Sequence, residues 1–464
     1  MLTYQEALDY IYSFIDYERT SLEGPHRFDL SRITALLELL GQPHRRYKAV
    51  HIAGTKGKGS TAAMIESILR AAGYKTGLFT SPHLHTYRER IQTGGQLITE
   101  KRLVAHVERL IPLAERFSGL TTFEITTALA FSYFAHEKVE WAILETGLGG
   151  RLDTTNVADP AVVVITLIGY DHVDVLGHRL SQIAFEKAGI IKEGRPVVSM
   201  PQRPTALRVI KRACRERKAP LTLVGRDWTW ERKGFDLKGQ RLDLHCHQKP
   251  HAGSSTLCRD YASLSLPFLG AHQLVNATTV VATVAELARQ GVSLSPQNVA
   301  EGLKTTSWPG RLEVLNEEPL LVVDGAHNLE STEALAQALK EYFGFQRLIL
   351  VFGALQGHDF KVMLRELLPL ADRVFVTRSL HPRAIDAQTL AQQFKALGRR
   401  CQIEPQVDEA LWKALSQAEE ADLVCATGSL SVAAEARAAW LESQGVSFQR
   451  DPPPTWQVSG QVPA

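Results

Sequence analysis

The stretch Val50-His-Ile-Ala-Gly-Thr-Lys-Gly-Lys-Gly-Ser60 constrains the fold more than any other part of the chain. An apolar run (Ala49, Val50, Ile52, Ala53) breaks at Gly54, and Gly57 and Gly59 follow at once. Thr61 to Ala72 then carries apolar residues at helical spacing, Met64, Ile65, Ile68 and Leu69. Strand, glycine loop and helix in that order aim backbone N–H groups and the positive end of a helix at a phosphate. Lys58 supplies a mobile positive charge for β- and γ-phosphates, and Ser60 a hydroxyl for Mg²⁺. The loop nucleotide set is therefore Gly54, Thr55, Gly57, Lys58, Gly59 and Ser60. The strict pattern G-x-x-x-x-G-K-[ST] is missed, because Gly59 follows Lys58 and the hydroxyl arrives one place late. Without its flanks, the same loop could be a glycine-rich turn with solvated lysines.

The flanks extend the α/β pattern in both directions. Helical stripes at 3–17 and 30–40 precede the first strand, joined by a polar connection. After the glycine loop, Lys75 to Phe79 reads as a strand leading into Thr80-Ser-Pro-His-Leu-His85, a loop holding Ser81 and His83. Arg88, Glu89 and Arg90 read from the residues as a solvated charge cluster. Helices are expected at 99–117 and 121–137. The strand Trp141-Ala-Ile-Leu-Glu145 ends in a carboxylate beside Gly147, Gly149 and Gly150. A second buried run, Ala161 to Leu167, ends near His172. Ligands in open α/β sheets sit at the carboxyl ends of strands, so Glu145, His172 and Ser60 are candidate metal ligands. A helix over 176–191 carries Lys187 in apolar company, where a lysine can also snorkel harmlessly.

Strand, helix and strand follow at 195–199, 203–217 and 220–224. Residues 229–270 change to short alternation and turn signals, which predict antiparallel hairpins. His245, Cys246, His247, His251 and Cys258 match no zinc spacing, and strand neighbours point to opposite faces. Gly270 to Asn276 opens a long apolar helix through Leu287. Thr305-Thr-Ser-Trp-Pro-Gly310 is the expected domain boundary. Beyond it strands are predicted at 311–316, 320–324, 347–352, 373–377 and 421–426, with helices at about 329–342, 359–368, 387–397, 407–417 and 430–442. Polar loops again follow strands: Asp324 to Asn328, Gly353, and Thr427 to Ser429. The expected organisation is a P-loop NTPase-like, mostly parallel α/β domain over 1–304, a linker at 305–309, a smaller Rossmann-like α/β domain over 310–450, and a Pro-rich, frayed tail at 451–464.

Composition removes several classes. At 464 residues and 44% hydrophobic content the chain can build two or three real cores. A net charge of +2, from 52 basic and 50 acidic side chains, implies no field for nucleic acid or an anionic membrane. Five scattered cysteines read as reduced thiols. No signal sequence is evident, and no apolar run approaches the roughly 18 residues of a membrane span, so a soluble cytoplasmic protein is expected. The polar inventory handles a nucleoside triphosphate with Mg²⁺: glycine cradle, Lys58, the Ser60/Glu145/His172 set and Arg311. From the residues alone, ligase and kinase both remain open.

The ordered motifs resemble the folylpolyglutamate synthase/dihydrofolate synthase family within the Mur-type ATP-dependent amide ligases. They are His51–Ser60, Thr80–Leu84, Glu89–Ile91, Thr121–Glu124, Glu145–Asn156, Asp171–His172, Glu186–Lys192, Gly270–Asn276, Pro309–Arg311, Asp324–Asn328 and Thr427–Leu430. The resemblance covers almost the whole chain. It implies that a carboxylate is activated by ATP as an acyl phosphate and attacked by an amine, the substrates being folate or dihydropteroate and L-glutamate. It implies two Mg²⁺ ions, one on Ser60 and Glu145 and one near His172, with room for a monovalent cation. Lys187 would be carbamylated and orient the second metal. Asn276, Arg311 and Asp324 would contact nucleotide, with Arg311 reaching the γ-phosphate. His327 would touch ribose, adenine or the amino acid, and its ordinary pKa range makes it the candidate general base. Ser429 would belong to the glutamate pocket. Ser81, His83, Thr122, Glu124 and Asp153 would lie on the pterin side. A monomer is implied. Departures are Lys56 in place of the usual loop asparagine, Leu167–Asp171 before the strand-end histidine, and Gln356–Asp359. A Mur-like ligase of another carboxylate, or a non-catalytic nucleotide-binding module, are the competing readings.

Overall fold

The computed structural model describes residues 2–16, 28–248, 257–357 and 359–451. The apolar runs become strands: β1 Lys48–Ala53, β2 Thr76–Phe79, β3 Ile91–Thr93, β4 Gln96–Leu97, β5 Trp141–Glu145, β6 Val162–Ile165, β7 Val197–Ser199 and β8 Leu221–Leu223. They form one sheet in the order β4-β3-β2-β5-β1-β6-β7-β8. Only the edge hairpin of β3 and β4 is antiparallel; it was not expected, because its residues 91–97 lack an apolar run. β1 lies between β5 and β6, so the loops leaving these three strands emerge side by side.

Strand periodicity sorts the two faces of this sheet. Val50, Ile52 and Ile143 pack with the helices Lys58–Ala71 and Ala271–Arg289. Ala49, Ala142 and Leu144 pack on the other face with Leu129, Phe131 and Phe134 of the helix Thr122–His136. Residues 229–270 supply a small antiparallel sheet, β9 Trp228–Asp236, β10 Gly239–Cys246 and β11 Tyr261–Leu266, ordered β11-β10-β9.

A third sheet follows: β12 Glu313–Glu317, β13 Leu320–Val323, β14 Leu348–Phe352, β15 Ala371–Val376, β16 Gln402–Ile403 and β17 Leu423–Thr427. Its order is β12-β13-β17-β14-β15-β16, parallel except for β12. Leu350, Phe352 and Cys425 face one core and Ile349, Val351 and Val424 the other, so this sheet too is covered on both sides. The chain thus holds two α/β domains with mostly parallel sheets.

Four expectations need correction. The helix over 176–191 is two, Val173–Leu176 and Leu180–Ala188, because Gly177 adopts φ +99 between them. Arg88 and Arg90 are buried, and Glu89 accepts the backbone N–H groups of Leu84, His85 and Thr86 at 2.6, 2.8 and 3.0 Å, so this cluster is not solvated. Cys246 and Cys258 are joined as a disulfide, with Cα atoms 5.9 Å apart, because the antiparallel pairing of β10 with β11 brings them together. Asp451 does not fray but is hydrogen-bonded to the first domain. His245 pairs with Asp260 and His247 with Thr229, while His251 lies outside the described residues, as do 17–27, His358 and 452–464. Among the described residues no helix is long and apolar enough to cross a membrane.

Candidate active site

The glycine loop leaves β1 and turns into the helix at Lys58, three residues earlier than the apolar spacing from Thr61 implied. Gly57 sits at φ +85, where a Cβ would also come within 2.6 Å of Asn276 Oδ1. Asn276 is held there by Gln273, whose amide oxygen accepts from Asn276 Nδ2 at 2.8 Å. A Cβ at Gly59 would lie 2.6 Å from the indole of Trp308, which reaches the loop from the connection between the domains. Thr55 donates its N–H to Leu167 and its hydroxyl to the Gly169 carbonyl, at 2.8 and 3.2 Å, locking the loop to the end of β6. Ser60 is buried in the first turn of the helix.

Glu145, the last residue of β5, is 3% exposed and faces this loop. Lys58 Nζ lies 3.7 Å from one carboxylate oxygen, and the Ser81 N–H donates to the other at 3.3 Å. Burial raises the Glu145 pKa, against the pull of Lys58, the Ser81 N–H and Arg311. Lys187 is buried with its Nζ donating to the Gly54 carbonyl at 2.8 Å. Burial, then the nearby Lys58, lowers its pKa to about 7. His172 adopts the left-handed region at φ 48 and leaves its ring half exposed beside Asp171. Surrounding protein desolvates it, and Lys187, Lys58 and Lys56 oppose its protonation, so its pKa is lowered.

Residues of the second domain come to the same place. Arg311 packs against Gly325, and its charge acts on both Asp324 and Glu145. Asp324 accepts the Leu312 and Ala326 N–H groups at 2.8 Å each; burial raises its pKa against these bonds and Arg311. His327 Nδ1 lies 2.7 Å from the Gly325 carbonyl and Nε2 lies 3.3 Å from Lys56 Nζ. Lys56 is also 3.5 Å from Asp171, and Glu330 accepts the Tyr170 N–H at 3.3 Å.

Two family models match the chain: the Mur ligase middle domain over residues 52–284 and the Mur ligase glutamate ligase domain over 310–430. A dihydrofolate synthase/folylpolyglutamate synthase of Bacillus subtilis is 36% identical over 408 residues, 86% of this chain and 92% of the relative. The chain belongs to the folylpolyglutamate synthase/dihydrofolate synthase family of Mur ligases. The Lacticaseibacillus casei folylpolyglutamate synthase is 33% identical, covering 94% of this chain and 98% of the relative. A solved Mycobacterium tuberculosis folylpolyglutamate synthase complexed with ADP superposes with a TM-score of 0.85 at 32% identity, covering 94% and 98% of the two chains.

In this Mur-ligase frame the remaining sequence candidates divide. Ser81 and His83 lie on the loop that starts beside Glu145, with His83 Nδ1 accepting from Arg90 Nε at 2.9 Å. Thr122 and Glu124 are committed to structure: the Thr122 hydroxyl donates to the Phe14 carbonyl at 3.1 Å, and Glu124 caps its own helix and pairs with Arg32 at 3.1 Å. Asp153 accepts from the N–H groups of Leu148 and Thr155, which shapes the glycine turn after β5. Ser429 is buried as the N-cap of Leu430–Ser443, 3.0 Å from Ser431. Trp308 and Asp451 were missed as functional candidates. A tryptophan inside a Pro/Gly linker was the available signal for the first; nothing local marked the second.

Proposed function

We propose that the chain uses ATP to activate the carboxylate of a folate or dihydropteroate and then joins it to the amine of L-glutamate. The observation that carries this reading is the meeting of two half-sites. Lys58 and Glu145 from the first domain share one junction with Arg311, Asp324 and His327 from the second. The nucleotide described for the Mycobacterium tuberculosis relative, ADP, is the product such a step leaves.

The residues fit an Mg²⁺–nucleotide. Among the described residues no three His, Cys, Asp or Glu side chains form a metal cage. Glu145 and Ser60 offer one carboxylate and one hydroxyl, the sparse protein set that suits Mg²⁺ sharing phosphate oxygens. When bound, Mg²⁺ neutralises charge on the phosphoryl group in transfer. A second cation beside His172 has to contend with Lys56, Lys58 and Lys187. Carbamylation of Lys187 turns one of those cations into an anion, and its pKa of about 7 leaves the free amine that addition of CO₂ requires.

In the reaction a substrate carboxylate oxygen attacks the γ-phosphorus and ADP leaves. Lys58 and Arg311 hold the phosphoryl oxygens from opposite domains. The glutamate amine then attacks the acyl carbon, phosphate departs, and His327 takes the amine proton on Nε2, giving up the hydrogen bond it accepts there from Lys56. Asn276 and Asp324 hold the nucleotide, Ser429 the incoming glutamate, and the Ser81–His85 loop the folate side. An acyl phosphate hydrolyses readily, so assembly of the site by domain closure keeps water out while it exists.

The test is ADP release with dihydropteroate, dihydrofolate or tetrahydrofolate, each with and without L-glutamate. Release that needs both a folate-type carboxylate and L-glutamate is expected. Release with none of the three overturns the folate assignment.

A further inference from the structure

Asp451 stands at a junction that the phosphate chemistry does not use. After the helix Leu430–Ser443 of the second domain, the chain crosses back to the first. Phe448 packs against His85 in a tilted arrangement, with ring centroids 4.7 Å apart. Arg450 lies over the Phe448 ring and pairs with Glu442 at 2.9 Å, tying the crossing segment to its own helix. The Asp451 N–H then donates to the His85 carbonyl at 3.2 Å. Its carboxylate accepts from the hydroxyls of Tyr4 and Thr86 at 2.7 Å each, and from the Tyr87 N–H at 2.5 Å. One carboxylate thus gathers the first helix, the turn after the Ser81–His85 loop, and the end of the second domain.

The loop is tied at both ends. Its first residue, Ser81, donates to Glu145 at 3.3 Å. At its far end, His85 Nε2 faces Arg437 at 3.1 Å, and Arg437 is clamped by both oxygens of Glu313. Burial, then Arg437 and Arg450, lowers the His85 pKa to about 3, so the ring is neutral and accepts from the guanidinium. Glu89 fixes the middle of the loop internally. Arg437, Phe448 and Asp451 all arrive from the second domain. A relative movement of the domains would therefore act on His85 and, through a short loop, on the residue that hydrogen-bonds Glu145.

We propose that residues 446–451 form an interdomain strap that sets the conformation of the Ser81–His85 loop, with Asp451 a positioning residue for the carboxylate substrate. The inference rests on the folate-ligase reading, in which this loop lies on the folate side.

The test compares full-length Asp451→Ala, Asp451→Asn and Phe448→Ala with the unmodified chain. Losing hydrogen bonds to a charged acceptor makes the expected rise in the folate KM about tenfold for Asp451→Ala, with kcat and the ATP KM within about twofold. Asp451→Asn keeps an oxygen for Tyr4 and Thr86 but turns a donor toward the Tyr87 N–H, so it recovers part of the loss. Phe448→Ala shifts the same parameter, and amide hydrogen exchange at Leu84–Tyr87 quickens in all three. Equal rises in the folate and ATP KM, or a loss confined to kcat, overturn the proposal. If no folate supports turnover in the unmodified chain, the folate reading fails by itself. Exchange then decides the strap: faster exchange at Leu84–Tyr87 in the variants supports it, and unchanged exchange overturns it.

Discussion

Lys56 Nζ lies 3.3 Å from His327 Nε2, across the junction between the glycine loop and the second domain. His327 Nδ1 is 2.7 Å from the Gly325 carbonyl, which can only accept, so the proton sits on Nδ1 and Nε2 accepts from Lys56. Asp171, 3.5 Å from the same ammonium, holds its charge in place. The loop position where the family resemblance calls for asparagine therefore carries a donor that fixes the tautomer of the proposed base. Burial lowers the Lys56 pKa, opposed by Asp171.

The first prediction follows from that contact. Long-range ¹⁵N–¹H correlation of the His327 ring is expected to show a protonated Nδ1. Lys56→Gln, whose amide can still donate to Nε2, is expected to keep turnover within about tenfold. Lys56→Leu leaves Nε2 without that donor and Asp171 without its cation, and is expected to lose more. Equal turnover in the two variants counts against a role for the contact.

Gly59 and Trp308 give the second prediction. The Cβ of alanine at position 59 would press into the indole at 2.6 Å, so Trp308 or the loop has to shift. Overpacking of this kind costs about 1–3 kcal/mol. In a Trp308→Leu background the same Gly59→Ala change should cost distinctly less, a coupling that urea denaturation of the four chains measures. Additive effects would show that the tryptophan yields freely.

Glu89 supplies the third. Its carboxylate accepts three consecutive N–H groups of the loop that carries the strap contacts. Glu89→Gln replaces one accepting oxygen by a donor, leaving at least one partly buried N–H without that partner, at a cost of up to about 1–3 kcal/mol. The expected outcome is a lower thermal midpoint together with a raised folate KM. A fall in midpoint with unchanged KM separates the fold from the site.

The fold was legible where burial on both faces writes a continuous apolar run. β1, β5, β6, β14 and β17 are such strands, and each lies where its run predicts. The short edge strands β4 and β16, two residues each, have no room for a pattern. In the site, Lys58 and Glu145 could be read because strand ends in a parallel sheet converge. Asp451 could not, since its partners Tyr4, Thr86 and Tyr87 lie hundreds of residues away in the chain and no spacing rule joins them. Cys246 and Cys258 failed for a related reason: their approach depends on the register of β10 against β11.

Lys187 carries the last prediction, in which the sign of a pH effect distinguishes two states of one side chain. Its amine falls from the ordinary 10.5 to about 7 in the folded chain. Between those values the unfolded chain binds the extra proton, so wild-type stability rises with pH over that window; below pH 7 the full cost of the buried ammonium remains. Lys187→Met removes the titration but leaves the Gly54 carbonyl without its donor. In CO₂-free buffer the stability of Lys187→Met relative to wild type should therefore decline from pH 7 to pH 10, by about 1.4 kcal/mol per unit at most. Bicarbonate is expected to alter only the wild-type chain, adding the mass of CO₂ to Lys187 in native mass spectra as the amine nitrogen bonds the carbon and releases its proton. Lys187→Ala should lose ligation and regain part of it with a short carboxylic acid, which supplies the missing anion. A pH-independent difference between the two chains would place the amine back in the ordinary lysine range and remove the free base that carbamylation needs.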